Sequence, residues 1–336
     1  LAQANIQEYD QLYRYSIEQR EHFWAEQAAH LSWFKPWDTV LDASNKPFYQ
    51  WFVGGQINIV HNAIDRHPSG ATRNKLAIIW ESEKGAVRSF SYHALNREVC
   101  QFANVLKSMG VRKGDIVTLY MPHIPELAFA MLACAKIGAA HSVVYGGFSV
   151  EALAARIEDA DSRVLVTADG GFRRGKPTDL KSIANEAMQR SPSIEVCITV
   201  RNNGLDVQME SERDFWYHDL QSLPIASPRC ETEVMDSEDM LFILYTSGTT
   251  GKPKGLVHTH GGYAVYTSTT HRMAFDIKPE DRWWCAADPG WITGHSYMVY
   301  GPLINGATLI MYEGAPNYPY PSRWWQMVEK YGVNIL

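Results

Sequence analysis

The chain has 336 residues, 46% of them hydrophobic and 20% charged, with a formal net charge of −6. That length exceeds one small domain and is enough to bury a sizeable core, and the composition leaves disorder without support. A mildly acidic chain without a dense run of Lys and Arg also offers no grip for nucleic-acid phosphates, so a small-molecule partner is expected.

Cys100, Cys134, Cys197, Cys230 and Cys285 are odd in number and lack CxxC spacing. Neither a disulfide framework nor a zinc site is suggested, and a reducing cytoplasm fits. The longest wholly apolar run, residues 127–135, is far short of the roughly 20 residues that cross a bilayer, and no basic segment followed by an apolar one opens the chain, so no export or anchoring is expected. The chain starts at Leu1 and stops in "VNIL", a strand pattern cut in mid-course, so a fragment is expected.

In chain order, residues 7–30 read as a polar helix with a narrow aromatic stripe. "SWFKPW" and "PFYQWFVGGQINIVHNAIDRH" follow, where rings recur without regular period, the pattern of a segment anchored by its aromatics across a larger domain. Ser91 then caps a helix whose apolar positions Leu95, Val99, Phe102, Leu106 and Met109 share one face, with Gly110 placed to end it. Next come the strand "IVTLYM", a helix with Pro125 near its start and Gly138 at its end, and the strand "AHSVVYG". The cycle repeats with Ser149 capping "VEALAARIEDA", the strand "SRVLVTA", the helix "DLKSIANEAMQR" and the strand "EVCITV". Strands separated by such helices make βαβ units, so the fold class is α/β, with helices layered on mainly parallel sheets. Residues 202–239 are polar and without period, a surface connection. A second α/β run follows: the strand "DMLFILYTS", the strands "RWWCAA" and "ATLIMYEG", the helix "SRWWQMVEKYG" and the final "VNIL". The expected division is an aromatic-rich segment over 1–65, a first α/β subdomain over 66–240 and the start of a second over 241–336.

"YTSGTTGKPKG", residues 245–255, stands where open α/β sheets bind ligands, beyond the carboxyl end of a strand. Thr246, Ser247, Thr249 and Thr250 offer hydroxyls, Gly248 and Gly251 let the backbone present its N–H groups, and Lys252 and Lys254 add charge: an anion cradle, with phosphate the favoured anion. The Walker pattern GxxxxGK[ST] is absent, and Pro253 disfavours a helix at Lys252. His258 and His260 form an HxH pair, but no third ligand lies at a usual spacing, and no metal site is assigned. His295 lies beside "GWIT" and orients that loop or fills it.

The order of these segments resembles the adenylate-forming acyl-CoA synthetases, and within them the AMP-forming acetyl-CoA synthetases, with propionyl-CoA synthetases close by. The resemblance spans nearly the whole chain, through "WFVGGQINIVHNAIDRH", "HSVVYGGFS", "YTSGTTGKPKG", "WWCAADPGWITGHSYMVYGPLINGAT" and "YEGAPNYP". It implies the N-terminal large domain of the adenylate-forming fold, truncated, without the C-terminal domain. It implies a parent enzyme that uses ATP with Mg2+ to turn acetate into an acyl-adenylate plus pyrophosphate, and then lets the thiol of CoA displace AMP. By the resemblance, residues 246–252 and Lys254 hold the ATP phosphates, and Trp291, Ile292 and Thr293 line the acyl pocket. CoA falls to Gly147, Arg173, Arg174, Gly175, Lys176, Thr293 and Asn317. Ile292 stands where the family often has Val, and Lys176 where it has Arg, which keeps the charge without the bidentate fork. The expected adenylation lysine and the adenine, ribose and Mg2+ positions lie beyond Leu336, so the chain alone is expected to be inactive. The competing readings are a propionate or other short-chain ligase and a non-catalytic nucleotide- or CoA-binding module. Oligomeric state is not legible.

Overall fold

The apolar runs at 116–121, 140–145, 164–168 and 196–200 form the centre of one sheet in a computed structural model, which describes residues 6–67, 70–246 and 253–336. The spatial order is Asp214–Trp216, Val196–Val200, Val164–Ala168, Ile116–Met121, Ala140–Tyr145, Met240–Thr246 and Lys254–Thr259. Every pairing is parallel except the last, which is antiparallel. A mainly parallel sheet needs cover on both faces, and alternate residues supply it. Leu119, Met121, Val143 and Val166 point into the core shared with the Tyr92–Ser108 and Pro125–Lys136 helices. Tyr120, Val144 and Leu165 point the other way, onto Leu153 and Ile157 of the Val150–Ala160 helix and Ala184 of the Leu180–Arg190 helix.

The helix boundaries follow side-chain chemistry. Ser91 and Ser149 accept from the backbone N–H of Ala94 and Ala152, each three residues on. Pro125 occupies the first turn of its helix, where no N–H is needed, Gly138 takes the positive φ just after the end of that same helix, and Gly110 does so after the Tyr92–Ser108 helix.

A second sheet has the order Arg282–Trp283, Thr308–Glu313, Leu76–Ser82 and Val87–Ser91. Its central pair is parallel, with Glu313 opposite Ser82, so both strands end on one edge. Strands from either side of residue 240 thus share the larger sheet, while the smaller one joins segments more than 200 residues apart. The rings of the N-terminal segment anchor it: Trp33 lies 4.9 Å from Trp37 and 5.5 Å from Phe52, ring centre to ring centre, and Phe52 is buried.

Several expected elements change. The polar helix over 7–30 is two helices, Ile6–Glu18 and Arg20–Ala28, broken at Gln19 so that the second can bury Phe23 and Ala28. The connection over 202–239 contains the edge strand Asp214–Trp216 and the short helix Tyr217–Gln221, fixed by burial of Tyr217 and Leu220. "RWWCAA" keeps only Arg282–Trp283 as strand before the backbone turns at Asp288 to Gly290, and "VNIL" contributes a single bridge from Ile335 to Trp283. No helix among the described residues is long and apolar enough to cross a membrane.

Candidate active site

Parallel strands bring their carboxyl ends to one edge, and two such edges converge here. Met121 and Tyr145 close strands of the larger sheet, and Glu313 closes one of the smaller. Between them lies a cavity of about 400 Å³, lined by His123, Gly147, Arg173, Asp288 and Glu313.

The basic segment forms its rim. Gly170–Arg173 and Lys176–Asp179 pair as a hairpin with Arg173 opposite Lys176, leaving Arg174 and Gly175 as the two turn residues. Both have positive φ, 52° and 75°, the conformation a two-residue hairpin turn needs to match strand twist. The turn is held from beneath by Glu83, which is buried: its Oε2 accepts from the backbone N–H of Arg174 at 2.9 Å and of Ala315 at 2.8 Å, and its Oε1 from that of Gly175 at 2.6 Å. The Tyr318 hydroxyl lies against Gly175, where a Cβ would meet it at 2.1 Å, so the residue after Asn317 is docked on the turn. Arg173, Arg174, Lys176 and Asn317 themselves are exposed.

Three titratable groups lie deeper in the cavity. His123 Nε2 is 2.5 Å from Asp288 Oδ2. Burial pulls His123 down, but Asp288, Glu313 and the Tyr312 carbonyl outweigh it, and its pKa rises above the ordinary imidazole value. Burial raises Asp288, yet the bond to His123 and the nearby charge bring it below the usual carboxylate value. Glu313 is pushed up to about 7, chiefly by burial, although Oε1 accepts from Asn202 Nδ2 at 2.8 Å and from the Phe172 backbone N–H at 3.3 Å.

Asp288 also starts the "GWIT" segment: it accepts from the Gly290 backbone N–H at 2.6 Å, and its carbonyl accepts from that of Trp291 at 3.0 Å. The segment passes between two hollows. Asp288 faces the cavity just described, whereas Ile292 lines an apolar recess of about 440 Å³ with Trp24, Trp51 and Tyr263. Trp291 and Ile292 are 51% and 41% exposed, so neither is a core residue. Thr293 is exposed and lines neither hollow. Trp291 likewise lies outside both linings.

Thr246 and Lys254 face each other across the antiparallel pair and are exposed, at the same sheet edge as Met121 and Tyr145. Ser247, Gly248, Thr249, Thr250, Gly251 and Lys252 lie outside the described residues. The strand Lys254–Thr259 begins at the end of the motif, where a Walker loop would have a helix. His258 lines the apolar recess, whereas His260 is buried and its Nδ1 accepts from the Ile59 backbone N–H at 3.4 Å. His295 is buried, 3.3 Å from the Trp291 carbonyl, and stacks near His141 and Phe242. No group of three His, Cys, Asp or Glu among the described residues could hold a metal ion.

Sequence reading missed Glu83, His123, Asp288 and Glu313. For Glu83 and Glu313 the available signal was a carboxylate at the end of an apolar strand run, in "LAIIWESE" and "LIMYEG", where ligands bind.

Comparison with known proteins decides the family. A model described as AMP-binding enzyme matches residues 65–336, and one described as acetyl-coenzyme A synthetase N-terminus matches residues 9–63. The chain belongs to the AMP-binding enzyme family. As an AMP-binding enzyme it is 54% identical to a Deinococcus radiodurans protein named acetyl-coenzyme A synthetase, over 98% of this chain and 50% of that one. Proteins of the same name from Rubrobacter xylanophilus and Streptomyces coelicolor are each 52% identical, over 100% and 99% of this chain and 52% and 51% of their own length. The chain spans about half the length of the curated relatives it matches.

Proposed function

We propose that the protein carrying this chain activates acetate with magnesium-complexed ATP, giving acetyl-adenylate and pyrophosphate, and then transfers the acetyl group to CoA with release of AMP. The observation that carries this reading is the similarity along nearly the whole chain to relatives named acetyl-coenzyme A synthetase, joined by the matching N-terminal family model.

The geometry supports a division of labour. Thr246, Ser247, Gly248, Thr249, Thr250, Gly251, Lys252 and Lys254 take the ATP phosphates: the sequence of this segment is rich in hydroxyls, glycines and lysines, and its described ends, Thr246 and Lys254, are paired at the sheet edge. Arg173, Arg174, Gly175 and Lys176, on a turn buttressed by Glu83, take the CoA phosphates, with Asn317 on the neighbouring segment. Gly147 admits the narrow arm of CoA: it is exposed on the cavity wall, and a Cβ there would lie 2.5 Å from the Tyr145 ring. Trp291, Ile292 and Thr293 are assigned to the acyl site on the resemblance of "GWIT", and Ile292, which lines the apolar recess, is the one whose position supports it. In-line attack on phosphorus needs positioning and charge stabilisation more than acid–base groups, so a cradle of this composition suits the first step.

Product analysis of the full-length polypeptide containing this chain tests the reading. With acetate, ATP, Mg2+ and CoA, AMP and acetyl-CoA form in equal amounts. Formation of ADP, or nucleotide binding without turnover, contradicts it. One extra methylene discriminates by about 1–3 kcal/mol, so propionate is expected to work 10- to 200-fold less well by kcat/KM.

A further inference from the structure

We propose that Glu313 is the proton acceptor for the CoA thiol, in the cavity whose rim is the basic hairpin. The inference rests on the function proposed above and adds to it a residue for the second step.

A thiol is a poor nucleophile until it loses its proton, and that proton needs a receiver near the sulfur. Glu313 stands where such a receiver is useful. It is 3% exposed, ends a strand at the converging sheet edges, and lines the cavity that also holds Gly147 and Arg173. Its two hydrogen bonds, from Asn202 and the Phe172 backbone, both fall on Oε1, and Oε2 has no donor among the described residues. One oxygen is fixed and the other is free for a substrate proton.

The neighbours suit the task. His123 lines the same cavity with its Nε2 2.5 Å from Asp288 Oδ2, a bond that raises the imidazole above its ordinary value and favours its protonated form beside the developing thiolate. Burial and the Glu83 carboxylate below oppose extra negative charge on Glu313, and Arg173 stands at the rim. The balance leaves the Glu313 carboxyl near neutrality, where a base takes a proton and returns it readily. In the step itself, the S–H proton passes to Oε2, sulfur bonds to the acyl carbon, and the bond from that carbon to the AMP phosphate oxygen breaks with its electron pair on AMP. Glu313 then returns the proton to solvent.

The test uses full-length protein and two separate assays: acetate-dependent exchange of pyrophosphate into ATP, and acetyl-CoA formation from supplied acetyl-adenylate and CoA. E313Q keeps a carbonyl oxygen for the Asn202 and Phe172 donors but cannot take a proton. Its exchange is expected to fall less than threefold while kcat for thioester formation falls about 10²- to 10⁴-fold. The wild type should gain thioester rate as pH rises through neutrality, and E313Q should lose that limb. E313D should recover part of both rate and limb. A purely structural role would raise KM for CoA and leave the pH profile in place, and that result overturns the proposal, as does an equal loss in both assays. Wild-type protein without acetate-dependent exchange overturns the proposed function and this inference together.

Discussion

Replacing Glu83 by Ala removes the acceptor beneath the basic turn. Three backbone N–H groups lose their partner, those of Arg174, Gly175 and Ala315. Hydrogen bonds to a charged group are worth about 1.5–3 kcal/mol, and the bond to Ala315 is buried, so that donor loses the full amount. Arg174 and Gly175 belong to exposed residues that water can reach, which reduces their share to about 0.5 kcal/mol each. The total is about 2.5–4 kcal/mol, towards the lower end because removing the carboxylate also removes the cost of burying it. Hydrogen exchange reads this locally: protection at the Ala315 amide should fall tenfold to a hundredfold, at about 1.4 kcal/mol per factor of ten. E83Q should lose about half as much, since its single carbonyl can replace Oε2 but its NH2 then faces the Gly175 N–H. CoA affinity should fall in the same order, E83A more than E83Q. Unchanged Ala315 protection in E83A would refute the claim that Glu83 organises the turn.

Gly175→Ala places a Cβ 2.1 Å from the Tyr318 hydroxyl at a φ of 75°, and should cost about 1–3 kcal/mol in urea unfolding and raise KM for CoA. The Lys181 and Asp214 side chains are both fully buried, 2.6 Å apart, so K181M leaves a buried carboxylate with only Arg213 and the Glu210 backbone N–H and should cost about 3–5 kcal/mol, read by the same method. Burial lowers His67, His271 and His295 to about 4 and His260 to about 3. These rings stay neutral in the folded state while the unfolded chain takes up protons below about 6.5, so stability present above that pH is lost as pH falls. Four such groups give a slope of about 5 kcal/mol per pH unit between roughly pH 5.5 and 4.5, and urea midpoints that hold steady to pH 4 would contradict the assignment.

Much of the larger sheet was legible because its signals are local. Apolar strand runs alternating with helices, two of them side-chain capped by Ser149 and Asp179, suffice for a parallel sheet covered on two faces, and Ser91, Ser149 and Pro125 mark boundaries without reference to the rest of the chain. What was not legible is non-local. Nothing in the period of "LAIIWES" tells that it pairs with "TLIMYE" more than 200 residues later, and the strand Asp214–Trp216 is too short to carry a period at all. The break at Gln19 has no Gly or Pro to announce it. At the site, the candidates that the sequence offers come in runs, "YTSGTTGKPKG" and the basic hairpin, because clustered hydroxyls, glycines and cations stand out in one dimension. Glu83, His123, Asp288 and Glu313 come from four segments and become a group only where two sheet edges meet. Trp291 and Ile292 prove exposed, and of the two Ile292 alone lines a hollow among the described residues.

The central claim is that the phosphate motif and the "GWIT" wall serve carboxylate activation. Exchange of labelled pyrophosphate into ATP, measured with the full-length polypeptide in the absence of CoA, tests it most directly. Exchange that requires acetate and Mg2+, and that drops at least a hundredfold when Lys252 is replaced by Ala, is the predicted result. Exchange that proceeds without any carboxylate, or that is indifferent to Lys252, would contradict it.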